Sequence, residues 1–219
     1  MTQRVFKWCN EAKSLKNKPQ EYAPAASGNS RMTQLRNAVF IDRDGVIIED
    51  RDYVYRSEDI AFIPGALEAL KTLSRTSYKI IIITNQSGIG RGYFTEPDYH
   101  AFTETLLERL SSYGARVDGV YFCPHHPAEA HGSYKTSCAC RKPKTGMITR
   151  ASHEHGIRLK GSWLIGDKTS DIKAGVDAGC KTILVKTGYA GQDLRFRLRA
   201  DLIAGDLNGA VRMILAGER

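Results

Sequence analysis

The chain has 219 residues, enough for one α/β domain with a full core, and its 42% hydrophobic and 26% charged residues are ordinary for a globular protein. No apolar run approaches the ~20 residues of a membrane helix, and Met1–Gln20 is basic without the apolar stretch of a secretory signal, so a cytoplasmic location and no membrane partner are expected. Of the net charge of +8, five units belong to residues 1–36, where seven Lys and Arg face two Glu.

Residues 1–36 read as a flexible basic extension, broken by Pro19, Pro24 and Gly28. No aromatic or groove-reading pattern accompanies its charge, so nucleic acid is not an expected partner. From residue 37 to 219 short apolar runs alternate with helix-period segments. The spacing predicts strands over 38–41, 79–83, 119–122, 162–165 and 181–185. Helices are predicted over 66–74, 95–113, 146–155, 171–178 and 206–215. Thr95 is read as a cap, with Gly114, Gly156 and Gly179 as stops. This alternation argues for a Rossmann-like parallel sheet with helices on both faces. Ligands of such sheets sit beyond the carboxyl ends of the strands.

The polar residues fall at those ends. Asp42 and Asp44 follow the first predicted strand, with Gly45 tightening the turn. Two such carboxylates repel unless a cation lies between them, and Mg²⁺ suits them. One can attack phosphorus while its neighbour moves protons. Thr84 ends the second strand ahead of the polar loop Asn85-Gln86-Ser87-Gly88, which can hold phosphate oxygens. Arg141 and Lys142 precede a helix, and Asp167 and Asp171 follow the fourth strand.

Five cysteines are present, and three lie close together, in Cys123-Pro-His125-His126 and Cys138-Ala-Cys140. An odd number so clustered reads as metal binding rather than a disulfide framework. Cys123, His125, Cys138 and Cys140 form a Cys₃His set for structural Zn²⁺, with His125 favoured over His126. The zinc loop, 123–140, runs directly into Arg141 and Lys142. Cys9 and Cys180 fall outside it.

The order Asp42-x-Asp44, Thr84, Lys142, Asp167…Asp171 resembles the haloacid dehalogenase superfamily. That resemblance implies Asp42 as nucleophile, Asp44 as acid and base, and Thr84 and Lys142 on the transferring phosphoryl group. It implies Mg²⁺ on Asp42, the Asp44 carbonyl and Asp167, with Asp171 behind them. Further motifs narrow the resemblance: Asp52-Tyr53-Val54, Thr84 to Ile89, Arg91-Gly92, Phe94-Thr95-Glu96, Cys123 to Pro127, Cys140 to Pro143 and Gly166 to Lys168. They are similar to those of the D-glycero-D-manno-heptose 1,7-bisphosphate phosphatases, and next to the histidinol-phosphate phosphatases, which share the zinc loop. The similarity covers about residues 37–217. It implies sugar contacts from Asp50, Arg51, Asp52 and Tyr53, and further substrate contacts from Asn85, Gln86, Ser87 and Arg141. The N-terminal extension departs from the pattern, as does Lys144-Thr145-Gly146, where a Pro usually precedes the Gly.

The spacings leave no room for a large cap domain, so an open site is expected. The expectation is a monomeric Mg²⁺-dependent phosphatase of a small sugar phosphate, with histidinol phosphate as the second candidate. A zinc-stapled nucleic-acid-binding module is the non-enzyme alternative; it would need none of Asp42, Asp44, Thr84, Lys142 and Asp167 together.

Overall fold

Ala38–Ile41, four consecutive apolar residues, form a strand that is wholly buried on both faces. In the structure, a computed structural model that describes residues 6–7 and 35–217, this strand (β2) is the centre of a parallel sheet. On one side lie β3 (Lys79–Asn85), β4 (Gly119–Cys123) and the two-residue β1 (Phe6–Lys7). On the other lie β5 (Trp163–Gly166), β6 (Lys181–Val185) and β7 (Leu202–Ala204). Every pairing is parallel, and the order is β1-β4-β3-β2-β5-β6-β7. The chain builds outward from β2 to β4, then crosses back to β5. The switch point therefore lies between β2 and β5, where Asp42 N–H donates to the Ile165 carbonyl at 3.0 Å.

The period of two sorts the strand side chains. Val39, Ile41, Ile80 and Ile82 pack with α1 (Ala66–Ser74), α3 (Glu96–Ser112) and α6 (Leu207–Ala216). Ala38, Phe40, Ile81 and Ile83 pack on the other face with α4 (Gly146–His155) and α5 (Thr169–Ala178). Such two-sided burial explains the unbroken run Ile80–Ile83, which no half-solvated strand would carry.

The predicted caps are present. Thr95 and Asp98 exchange hydrogen bonds at the start of α3, backbone N–H to side-chain oxygen in each direction, at 3.2 and 2.8 Å. Gly156 and Gly179 end α4 and α5 at φ +60° and +79°.

Four expectations are corrected. β3 runs two residues further, through Thr84 and Asn85. The fourth predicted strand starts at Trp163, because the Ser162 N–H closes the preceding turn on the Leu159 carbonyl at 2.9 Å. α5 starts at Thr169, with Asp171 inside its first turn accepting from Lys168 N–H at 3.0 Å. Between Thr84 and Lys142 there are two helices, not one, since α2 (Ser87–Arg91) precedes α3. No inserted cap domain interrupts the described residues. The flexibility expected of 1–36 lies outside the described residues, save that Phe6–Lys7 pair with β4 and Arg36 bonds to Gly156. Among the described residues, no helix is long and apolar enough to cross a membrane.

Candidate active site

The carboxyl ends of β2 and β3 bring Asp42 and Thr84 to one cleft of about 460 Å³, and Asp167, at the end of β5, lies buried within reach of Asp42. Its floor is a buried charge cluster. Asp42 Oδ1 accepts the Arg43 N–H at 2.8 Å and meets Lys142 Nζ at 2.8 Å. Lys142 Nζ also reaches Asp171 Oδ1 at 2.7 Å and the Ile83 carbonyl at 3.0 Å. Asn85 fixes the backbone there, donating to the Lys142 carbonyl and accepting from its N–H. Lys142 is thereby aimed by β3, although it belongs to the loop before α4. Burial works against its charge, yet Asp171 and Asp42 hold its pKa above the usual lysine value.

Asp42, Asp167 and Asp171 each present an oxygen within 4.8 Å of the others. Burial raises the Asp42 carboxyl, with Lys142 pulling against it. Asp167 is pushed up to about 8 by burial first, then by Asp42 and Asp171. Its Oδ2 accepts the Tyr189 N–H at 2.8 Å, while its buried Oδ1 has no hydrogen-bond partner among the described residues. An orphaned, desolvated carboxylate oxygen facing another carboxylate is what a divalent cation would satisfy. The wall behind it is built to the same scale. Gly45 lies at φ +79°, and a Cβ there would come within 2.4 Å of Asp167 Oδ2.

Asp44 sits beside this cluster. The buried Arg43 guanidinium clamps it with two nitrogens, at 2.9 and 3.0 Å, and stacks over Phe102 at 4.7 Å. Gln86 Nε2 donates to Asp44 Oδ2 at 2.9 Å and to Thr84 Oγ1 at 2.7 Å. Burial raises the Asp44 carboxyl, Arg43 lowers it and Asp42 adds to the rise. A carboxyl balanced this way is suited to taking and returning a proton.

Of the substrate contacts expected from the sequence, Asp50, Asp52, Tyr53, Asn85, Gln86, Ser87 and Arg141 line the cleft. Arg51 does not: it is exposed and its guanidinium is turned to Glu49 Oε2. Lys168, Tyr189, Asp193 and Arg195 line the cleft without having been assigned a role from the sequence. Lys168 Nζ pairs with Asp50 at 3.0 Å and lies over the Tyr189 ring. Burial disfavours its charge, but Asp42, Asp167 and Asp50 raise its pKa above the usual value. Its place directly after Asp167 was the signal available. The loop after β6 offered none.

Beside the cleft, Cys123, His125, Cys138 and Cys140 converge, with all ligand atoms within 4.8 Å. The sulfurs are 3.2–3.4 Å apart, and His125 Nδ1 is 3.6–3.7 Å from two of them. A tetrahedron with Zn–S ~2.3 Å and Zn–N ~2.0 Å has edges of about 3.5–3.8 Å. The sulfur spacings are somewhat tighter than that, but far longer than a disulfide bond of about 2.0 Å. His126 is turned away, its Nδ1 accepting from the Ala128 and Glu129 N–H groups. Cys180 packs in the core, apart from the cluster.

Curated relatives match this chain over most of their length. D-glycero-beta-D-manno-heptose-1,7-bisphosphate 7-phosphatase of Photorhabdus laumondii is 44% identical over 158 residues, 72% of this chain and 84% of that protein. The enzyme of the same name from Helicobacter pylori is 46% identical over 157 residues, 71% of this chain and 86% of its own. This chain belongs to the heptose-1,7-bisphosphate 7-phosphatase family. It is thus a phosphoric monoester hydrolase of the haloacid dehalogenase type, and residues 139–210 match the HAD-hydrolase-like family model. The family includes the Burkholderia mallei protein named as acting on the alpha anomer, 44% identical over 68% of this chain and 78% of its own. The crystal structure of D,D-heptose 1,7-bisphosphate phosphatase from B. bronchiseptica, complexed with magnesium and phosphate, superposes with a TM-score of 0.74. It is 30% identical and covers 83% of this chain and 99% of its own.

Proposed function

We propose that this phosphatase removes the 7-phosphate of a D-glycero-D-manno-heptose 1,7-bisphosphate, leaves the 1-phosphate, and works through a phosphorylated Asp42. The observation that carries the reading is the buried Asp42–Lys142–Asp171 cluster at the sheet's switch point, with Asp44 two residues on, in a chain 44% identical to enzymes of that name.

Asp42 attacks phosphorus, and the bond from phosphorus to the sugar oxygen breaks. Asp44, in its acid form, gives that oxygen its proton. Asp44 then takes a proton from water, whose oxygen attacks the phosphoryl group and frees Asp42 as inorganic phosphate leaves. Thr84 and Lys142 hold the phosphoryl oxygens, and Lys142 offsets their charge. Asp171 keeps Lys142 in place from behind. Asp42, the Asp44 carbonyl and Asp167 would hold Mg²⁺, a fit supported by the orphaned Asp167 Oδ1. Bound there, the ion supplies positive charge between carboxylates and phosphate. Cys123, His125, Cys138 and Cys140 would hold a structural Zn²⁺, which bound there would staple the loop that leads into Arg141 and Lys142. Asp50, Asp52 and Tyr53 face the sugar from one wall, and Asn85, Gln86 and Ser87 from another. The rim bears Arg91, Arg141 and Arg195, which suits a second phosphate and opposes the cationic imidazole of histidinol phosphate.

Phosphate release from the two heptose bisphosphate anomers and from histidinol phosphate tests the reading. One bisphosphate should give the highest kcat/KM, and Asp42→Asn should lower it by at least ~10³-fold with the melting temperature preserved. A higher kcat/KM on histidinol phosphate, or sustained turnover by the variant, would refute it.

A further inference from the structure

The loop after β6 carries a feature outside the catalytic set. Within the cleft, most charges are paired. On the floor Asp42 and Asp171 are matched by Lys142, Asp44 by Arg43 and Asp50 by Lys168. At the rim Arg91 is matched by Glu129. Arg141 and Arg195 have no carboxylate partner among the described residues, and Arg195 makes no hydrogen bond there either. Arg141 spends one nitrogen on the His125 carbonyl at 3.2 Å, which leaves the rest of its fork free.

Arg195 is held in this place. Two residues before it, Asp193 accepts from Thr169 N–H at 2.7 Å and from Thr169 Oγ1 at 2.8 Å. One residue after it, Phe196 N–H donates to the same Thr169 hydroxyl at 3.2 Å. Between them, Leu194 adopts φ +45°, a conformation non-glycine residues rarely take unless their surroundings impose it. The loop is further tied to Asp167, whose carbonyl accepts Gly191 N–H at 2.7 Å. The segment presenting Arg195 is thus anchored to the start of α5, two residues from Asp167. Arg195 and Arg141, from separate loops, both line the one cleft. Two guanidinium groups that line one cleft without a carboxylate partner are stabilised by an anion, and a phosphate dianion can accept from both forks at once.

We infer that Arg195 is a specificity-determining residue that joins Arg141 in gripping the phosphate of the substrate that is not transferred. The inference rests on the bisphosphate reading proposed above and adds a residue from a separate loop. The Asp193–Thr169–Phe196 clamp gives the grip a fixed geometry, so binding spends little on ordering the Arg195 backbone.

The test compares kcat/KM for heptose 1,7-bisphosphate with kcat/KM for heptose 7-phosphate. In the unaltered enzyme this ratio should be large. Arg195→Ala should reduce it roughly tenfold, chiefly through KM on the bisphosphate, as expected for one charged hydrogen-bonding contact at a half-open rim. Arg195→Lys should restore part of the ratio. Arg197→Ala removes an equal charge from an exposed residue that does not line the cleft, and should leave the ratio intact. A ratio unchanged by Arg195→Ala, or lowered equally by Arg197→Ala, would overturn the inference while the bisphosphate reading stands. Equal use of both substrates by the unaltered enzyme would remove that reading, and this inference with it.

Discussion

Replacing Lys142 by methionine keeps the length of the side chain and deletes its charge. The structure fixes what is lost. Nζ is buried and bonded to Asp42, Asp171 and the Ile83 carbonyl at 2.7–3.0 Å, with no solvent to replace it. Two buried carboxylates and one carbonyl would be left without their common donor, beside a third carboxylate, Asp167. Removing one partner of a buried ion pair costs about 3–5 kcal/mol, far more than an exposed pair is worth. At about 2–4 °C per kcal/mol for a domain of this size, melting should fall by roughly 6–20 °C. Calorimetric or dichroic melts without added Mg²⁺ give the cleanest reading, because a divalent cation would partly substitute for the lost charge. Turnover with Mg²⁺ present should also fall, by about 10²–10³-fold, since charge stabilisation of the phosphoryl group is lost. Lys142→Arg should rescue poorly, because a planar fork does not fit a point where three acceptors meet one nitrogen. A Lys142→Met protein melting within about 2 °C of the original would refute this account of the cluster.

Two further changes probe the neighbouring supports. Gly45→Ala places a methyl 2.4 Å from Asp167 Oδ2 at φ +79°; displacement of that carboxylate should lower kcat about 10²-fold, and full kcat would show that the Asp167 position is not critical. Cys140→Ser should reduce bound zinc from about one equivalent per chain to near none, with a lower melting temperature, in metal analysis of protein purified without added zinc. Full zinc content in that variant would remove Cys140 from the ligand set.

Much of the fold was legible because its central strands are covered on both faces. Ile80–Ile83 and Ala38–Ile41 could be read as buried strands without knowing their neighbours. The site was legible for a related reason: Asp42, Thr84 and Asp167 each stand at the end of such a strand. The convergence of Cys123, His125, Cys138 and Cys140 could be read from spacing alone, and it is His125 whose Nδ1 lies 3.6–3.7 Å from two cysteine sulfurs. What escaped was set by tertiary contact. β7 has three residues, two of them exposed, and takes its form from the edge of β6. The short α2 begins at the end of β3, where Ser and Gly give no helical period. Arg51 has the right neighbours in sequence, but Glu49 draws it out of the cleft. Arg195 lies far from any motif, and tertiary bonds such as Asp193–Thr169 and Phe196–Thr169 hold its loop at the cleft.

Among the described residues no domain closes over the cleft, and such openness shapes how the enzyme must collect its substrate. A capped enzyme can bind loosely and then shut, spending a conformational step to expel water. Here the bound sugar phosphate itself must serve as the stopper, seated against walls that are already in place. Capture is then governed by encounter with a cationic mouth rather than by a gating motion, and dissolved salt should slow that encounter more than it slows the bond-breaking on the shielded floor below.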